Sequence, residues 1–329
     1  MSQAIDQQPR PLRVSIAVLA NNQIAHRIYV SKKDGVSRDF DCREQYQIGS
    51  ITKILTADTI FSLLRERDLD LDTPISQILG EALDTRGRGI TIQELLTHTS
   101  GLPRMPASFF LSDYDKYDPY ADFDSLALDR ALGNEMILDS NRLGEFSYSN
   151  FGYAVLERVV EELTGDSFNR AIRNHLSEIA PRLYISVDQP TNSNSLAEGH
   201  AADGTHPVLW KLNAFSSAGG VYASSCDLAA YARWVLLSRR PQFQSQISKF
   251  VERDAQLDQS LGWMILKSKS GKRYPFHAGM TGGYSSIHIM DPDQNMAVAV
   301  LMNREFFDNT VETIGFGIMK DIATTRKSK

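Results

Sequence analysis

Apolar and polar positions alternate from Arg13 to Leu19 and again from Gln23 to Ser31, around Asn21-Asn22. A two-residue period flanking a turn-forming pair predicts a β-hairpin. The period lengthens at Ile51–Arg67, where Ile51, Ile54, Leu55, Ile60, Leu63 and Leu64 line one side of a helix. LDLDTPISQIL reads as a turn and a short helix. Thr91 with Glu94 three residues on forms a capping box for a helix that Gly101 and Pro103 end. Further helical patterns cover Ser125–Leu138, Phe151–Leu163 (stopped by Gly165), Asp227–Leu237 and about Asn309–Ala323. Strands are expected at Leu261–Lys267, Ser285–Met290 and Met296–Met302, the last two joined through Asp291-Pro292-Asp293. Residues 186–213 read as a polar loop, and residues 104–125 as a lid-like excursion in which aromatics and aspartates mix without period.

A hairpin first, helices in the middle and an antiparallel meander plus helix last predict an α+β fold whose single sheet is built from both ends of the chain. The expected division of this one catalytic unit is an α/β lobe of about 10–65 and 215–325 and a helical lobe of about 66–214. The chain has 329 residues, 42% of them hydrophobic and 23% charged, enough for a substantial core. A net charge of −5 removes the electrostatic case for nucleic acid or an anionic membrane surface. No run approaches the ~18 apolar residues of a membrane span, and VSIAVLA is too short for a signal peptide's apolar core, so a cytoplasmic location is expected. Cys42 and Cys226 lack CxxC spacing and are read as reduced thiols.

There is no GxSxG, HExxH or GxxxxGK[ST]. The histidines show no metal-ligand spacing, His200 and His206 read as solvated, and Asp113, Asp115 and Asp118 lack the glycine and glutamate of a calcium loop. No metal or cofactor is expected. What remains is Ser50-Ile51-Thr52-Lys53 where a loop becomes a helix. Three residues' spacing brings the Lys53 ammonium toward the Ser50 hydroxyl, and a helix start supplies free N–H groups and a positive dipole end. Alone, the tetrad reads as an N-cap serine with a surface lysine. Tyr148-Ser149-Asn150 and His277-Ala278-Gly279, each unique and in this order, change the reading.

With these triplets the chain resembles the penicillin-recognising serine hydrolases: class C β-lactamases, DD-carboxypeptidases, D-aminopeptidases and related esterases. QIGSITKILTADTIFSLL, LLTHTSGLP, FSYSNFGYAVLERVVEELTG, SSAGGVYASSCDLAAYARWVL and HAGMTGGYSS all look like family blocks in family order. The resemblance implies Ser50 as acylated nucleophile, Lys53 as its proton partner, Tyr148 as general base or proton shuttle and Asn150 on the substrate's carbonyl side. His277 stands where β-lactamases carry lysine, which favours esterase or peptidase over β-lactamase. The base is either a Tyr148 phenolate held by Lys53 and a protonated His277, or neutral Lys53 with Tyr148 relaying the proton. The oxyanion hole is expected from the N–H groups of Ser50 and of Met280, beside Gly279 on an edge strand, with Leu261-Gly262-Trp263 running alongside as a part-apolar floor. Tyr114 and Tyr117 of the lid-like loop are expected to touch substrate, and its aspartates to favour cationic ones. The substrate is thus a small-molecule or peptide ester or amide. Acyl transfer to an alcohol or amine, or an inactive binding protein of this fold, are the other readings.

Overall fold

The computed structural model describes residues 12–32, 35–39, 41–80, 89–110, 115, 117–136, 143–177, 185–203, 207–248, 250–306 and 308–327. Asn21 and Asn22 both take positive φ, 52° and 60°. This is the turn that matches strand twist, and it joins β1 (Leu12–Ala20) to β2 (Gln23–Lys32). There follow β3 (Gly35–Asp39), β4 (Tyr46–Gln47), a 3₁₀ turn (Gly49–Ile51) and α1 (Thr52–Glu66). The middle of the chain contributes α2 (Ser76–Leu79), α3 (Ile92–Leu96), α4 (Ser125–Asn134), α5 (Asn150–Thr164), α6 (Phe168–His175), β5 (Ser186–Val187), α7 (Ser216–Gly219) and β6 (Val221–Ala223). Then come α8 (Ser225–Ser238), α9 (Arg240–Ser248), β7 (Phe250–Glu252), β8 (Leu257–Ser260), β9 (Met264–Lys267), β10 (Arg273–Thr281), β11 (Tyr284–Asp291), β12 (Met296–Met302) and α10 (Thr310–Lys327).

Nine antiparallel strands form one sheet in the order β3-β2-β1-β12-β11-β10-β9-β8-β7, and β4-β6-β5 form a small second one. The sheet is built from both ends of the chain as expected, with Val14 opposite Met302 and Leu19 opposite Ala297. Alternation along β12 separates two cores. Met296, Val298, Val300 and Met302 pack with Val311 and Met319 of α10, while Ala297, Ala299 and Leu301 face the larger core that includes α1, α5 and α8. Burial on both faces explains why β12 reads as a continuous apolar run.

Local chemistry accounts for most boundaries. The capping box at Thr91 forms, Glu94 N–H donating to Thr91 Oγ1 at 3.2 Å and Thr91 N–H to Glu94 Oε2 at 3.0 Å. The helix it starts ends at Leu96, well before Gly101, because His98 adopts φ 59° and leaves helical geometry. The α4 helix ends at Asn134; Ile137 and Leu138 lie outside the described residues. Leu261-Gly262-Trp263 is a tight turn between β8 and β9, with Gly262 at φ 74°, and not a strand beside the site. Trp263 is fully buried against Phe243 and His288, so it floors no pocket. His200 is buried, its main-chain N–H on Gly283 O and Asn303 O, against the expectation of a solvated imidazole. His206 lies outside the described residues.

The two cysteines are not free. Cys42 and Cys226 form a disulfide, their Cα atoms 5.7 Å apart. The α8 helix that carries Cys226 in its first turn packs on β1, β2 and β12, which brings it to the segment leaving β3. Closing a loop over a sequence separation of 184 constrains the unfolded chain, an effect worth about 2–5 kcal/mol. Replacing both cysteines with serine is therefore expected to lower unfolding free energy by about that amount in a urea titration. An unchanged transition midpoint would show that the bridge does not stabilise the fold.

Candidate active site

Ser50 lies in the 3₁₀ turn that runs into α1, and no side-chain cap bond is made at that start. The turn is pressed backbone to backbone against β10. Gly49 sits at φ +49°, and a Cβ there would fall 2.7 Å from Met280 N; a Cβ on Gly279 would fall 2.0 Å from Ile48 O and 2.9 Å from Ser50 N. Only glycine at both positions allows this approach. The pairing of β9 with β10 ends at Met264 opposite Phe276, so β10 is interior at its start but presents an edge from His277 onward. Met280 is 38% exposed there.

Lys53 is fully buried on α1. Its Nζ donates to Asn150 Oδ1 at 3.0 Å and to Ala218 O at 2.7 Å, and lies 3.3 Å from Ser50 Oγ. Burial pushes its pKa well below the usual lysine value, and the Arg104 charge pushes the same way. Tyr148 O–H donates to Ser50 Oγ at 2.8 Å. Burial raises this phenol to about 12, against smaller opposing effects from Ser50 and Arg104. His277 is buried with Nδ1 2.6 Å from Ala278 O, and desolvation, then the neighbouring Lys53, hold it down to about 3. The protonated His277 invoked for a phenolate is thus absent at neutral pH: phenol and imidazole are held neutral, and the amine is shifted toward its neutral form.

Four more side chains reach this cluster that the sequence did not single out. The His98 ring lies 4.4 Å from that of Tyr148, and its Nδ1 accepts from Ser149 N–H at 3.1 Å. The Arg104 guanidinium lies 5.1 Å over the Tyr148 ring, and that of Arg253 4.0 Å over Phe146. Asn150 Nδ2 donates to Tyr120 O–H at 3.4 Å. The THTSGLP block was the available signal for His98, and Arg104 directly follows it; Arg253 sits in an unremarkable turn.

The lid-like segment is largely a packed element. Phe109, Tyr120 and Phe123 gather round Phe215, with Tyr120 also against Trp210. Tyr117 is 37% exposed, and Tyr114 and Asp113 lie outside the described residues. Three other aspartates do local work: Asp115 accepts from Tyr117 N–H, Asp118 from Lys211 N–H, and Asp124 caps α4. None of them is among the charges acting on Lys53, Tyr148 or His277.

A serine at a helix start, wedged against a sheet edge with a buried lysine one turn on, is the arrangement that the resemblance implied. Residues 2–314 match the family described as Beta-lactamase. The chain belongs to this family of serine hydrolases. It is 25% identical over 296 residues to "Protein flp" of Staphylococcus aureus (strain N315), covering 84% of this chain and 56% of that protein. It is 30% identical over 198 residues to "Penicillin-binding protein 4" of Amycolatopsis lactamdurans, covering 57% and 50%. The chain thus spans about half the length of these curated relatives. Among solved structures it is similar to a D-stereospecific amidohydrolase from Streptomyces sp. (TM-score 0.75, 22% identity, 96% of this chain and 97% of that one). It is similar too to a class C β-lactamase from Rhodobacter sphaeroides (0.77, 18%, 98% and 97%). At these identities the structural likeness concerns the fold.

Proposed function

We propose that this chain hydrolyses an ester or amide through an acyl-enzyme on Ser50. The observation that carries the reading is the placement of Ser50 Oγ between the Tyr148 hydroxyl at 2.8 Å and the Lys53 amine at 3.3 Å. A neutral amine has two N–H groups, which Asn150 Oδ1 and Ala218 O absorb, and one lone pair, left for the Ser50 proton. Lys53 is then the acylation base, and Tyr148, a phenol and not a phenolate, relays a proton to the leaving group. Asn150 acts by orienting Lys53. Ser50 N–H and Met280 N–H, brought together by the Gly49 and Gly279 contacts, form the oxyanion hole. A neutral His277 in place of a cation favours an esterase, peptidase or amidase over a β-lactamase. The disulfide favours work in an oxidising compartment over the cytoplasm first expected.

Incubation with a p-nitrophenyl ester followed by intact-mass measurement tests the reading. One acyl adduct per chain, discharged by water, supports it; turnover without any adduct at a serine refutes it. Faster discharge by added amines than by water would move the assignment to an acyltransferase.

The proton chemistry also sets the pH profile. Lys53 must be unprotonated, and its pKa is lowered, so kcat/KM is expected to be on its plateau well below the ~10.5 of an ordinary lysine and to fall only on acidification through the depressed value. With His277 held at about 3, no histidine break is expected near ~6.5. A profile that climbs until pH ~10 would mean that Lys53 is charged at neutrality and is not the base.

A further inference from the structure

His26, Cys42 and Cys226 come together from three parts of the chain: β2, the segment that leaves β3, and the first turn of α8. A ring nitrogen and the two sulfurs all lie within 4.8 Å of one another, and the three residues are half-buried. Among the described residues no other three histidine, cysteine or carboxylate side chains meet so closely. Ser15 Oγ stands 3.4 Å from His26 Nε2 and 2.8 Å from Ser225 Oγ. These two hydroxyls are buried, and they prop the imidazole against the turn that carries Cys226. A bridge needs no imidazole beside it, whereas two sulfurs and an imidazole are the donor set of a borderline-soft cation. Tetrahedral zinc, with Zn–S of ~2.3 Å and Zn–N of ~2.0 Å, sets its ligand atoms roughly 3.5–3.8 Å apart. Side-chain rotation reaches that spacing from the present one while the cysteine Cα atoms stay 5.7 Å apart. Asp41, which feels the His26 charge, has both carboxylate oxygens engaged by Arg43, so the fourth position falls to water.

We infer that Cys42, Cys226 and His26 form a thiol-gated metal site, bridged under oxidising conditions and holding one zinc ion once a dithiol has reduced the bridge. The dithiol gives two electrons and two protons: the Cys42–Cys226 S–S bond breaks, two thiols form, and the dithiol leaves as its own disulfide. Zinc then displaces the two thiol protons to solvent. The helix start favours the Cys226 thiolate. Metal or bridge, the tie between α8 and the segment leaving β3 is kept in either redox setting. None of this depends on what Ser50 does.

The test is a titration with cobalt(II) alone, after reduction with dithiothreitol and its removal by anaerobic gel filtration. Reduced wild type is expected to develop a thiolate-to-cobalt absorption that saturates at one cobalt per chain and disappears on adding zinc. The oxidised protein should show none. His26→Gln, which keeps both thiols, should bind cobalt at least ~10-fold more weakly, the least that losing a ligand costs when losing its support costs that much. His26→Cys, which places another ligand there, should recover the affinity. No thiolate band in reduced wild type, or equal affinity in wild type and His26→Gln, overturns the site. If reduction unfolds the chain, zinc is expected to restore its far-ultraviolet circular dichroism, and failure to do so overturns the site as well.

Discussion

Ser50→Ala is expected to abolish the acyl adduct and to lower turnover by at least ~10⁴-fold, the scale on which removing a covalent nucleophile acts. The fold should be almost unaffected. Ser50 caps no helix, so the loss is the Tyr148 contact at 2.8 Å and the Lys53 contact at 3.3 Å, about 1 kcal/mol in all. Intact mass after ester treatment, turnover and a thermal melt on one preparation decide the matter. A variant that retains more than about a hundredth of wild-type activity, judged against the ~10⁴-fold loss expected, sinks Ser50 as the nucleophile.

Lys53→Met should come next in severity, with a fall in kcat of ~1,000-fold or more, because it removes the proton acceptor while roughly filling its volume. Tyr148→Phe, which removes only the relay, should cost ~100-fold. The order matters as much as the size. Tyr148 is half-buried with its phenol raised to about 12, so taking a proton from serine as a phenolate would first require an unfavourable ionisation. If Tyr148→Phe proves the more damaging change in single-turnover acylation, the tyrosine is the base and the neutral-lysine assignment falls. Adding back a small primary amine offers a further reading, since partial rescue of Lys53→Met alone would mark the missing group as an amine.

How much could be read beforehand varied with the range of the interaction that decides each feature. The Asn21-Asn22 turn, the Thr91 capping box and the Gly165 stop at φ 67° are settled within four residues, and they were legible. The β10 strand was harder: RYPFHAGMT contains Pro275 and Gly279, and its burial does not alternate, because both faces and one edge are in use. The Ser50, Lys53, Tyr148 and His277 set was visible through its triplets, but their protonation was not. The lowered pKa of Lys53 follows from burial under Ala218 and beside Arg104, a property of packing. The Cys42–Cys226 bridge spans 184 residues, and spacing alone carries no information about a Cα separation. Tyr120, expected only as one aromatic of a loop, reaches Asn150 because Phe109, Phe123 and Phe215 hold it there.

The pairing of β1 with β12 also governs when the molecule can begin to work. Val14 must wait for Met302, so the sheet closes across nearly its whole sequence, and each such long closure is entropically costly before its contacts repay it. Ser50 and Lys53 emerge early from the ribosome, but Gly279 and Met280, against which their turn rests, emerge late. The helical middle can gather around α5 in the meantime, leaving the apolar faces of β1 and β2 without their central partner. A nascent chain therefore carries the proposed nucleophile before the strand it rests on, and hydrophobic strands that invite wrong partners. Assembly of the last three strands both completes the proposed site and removes the hazard.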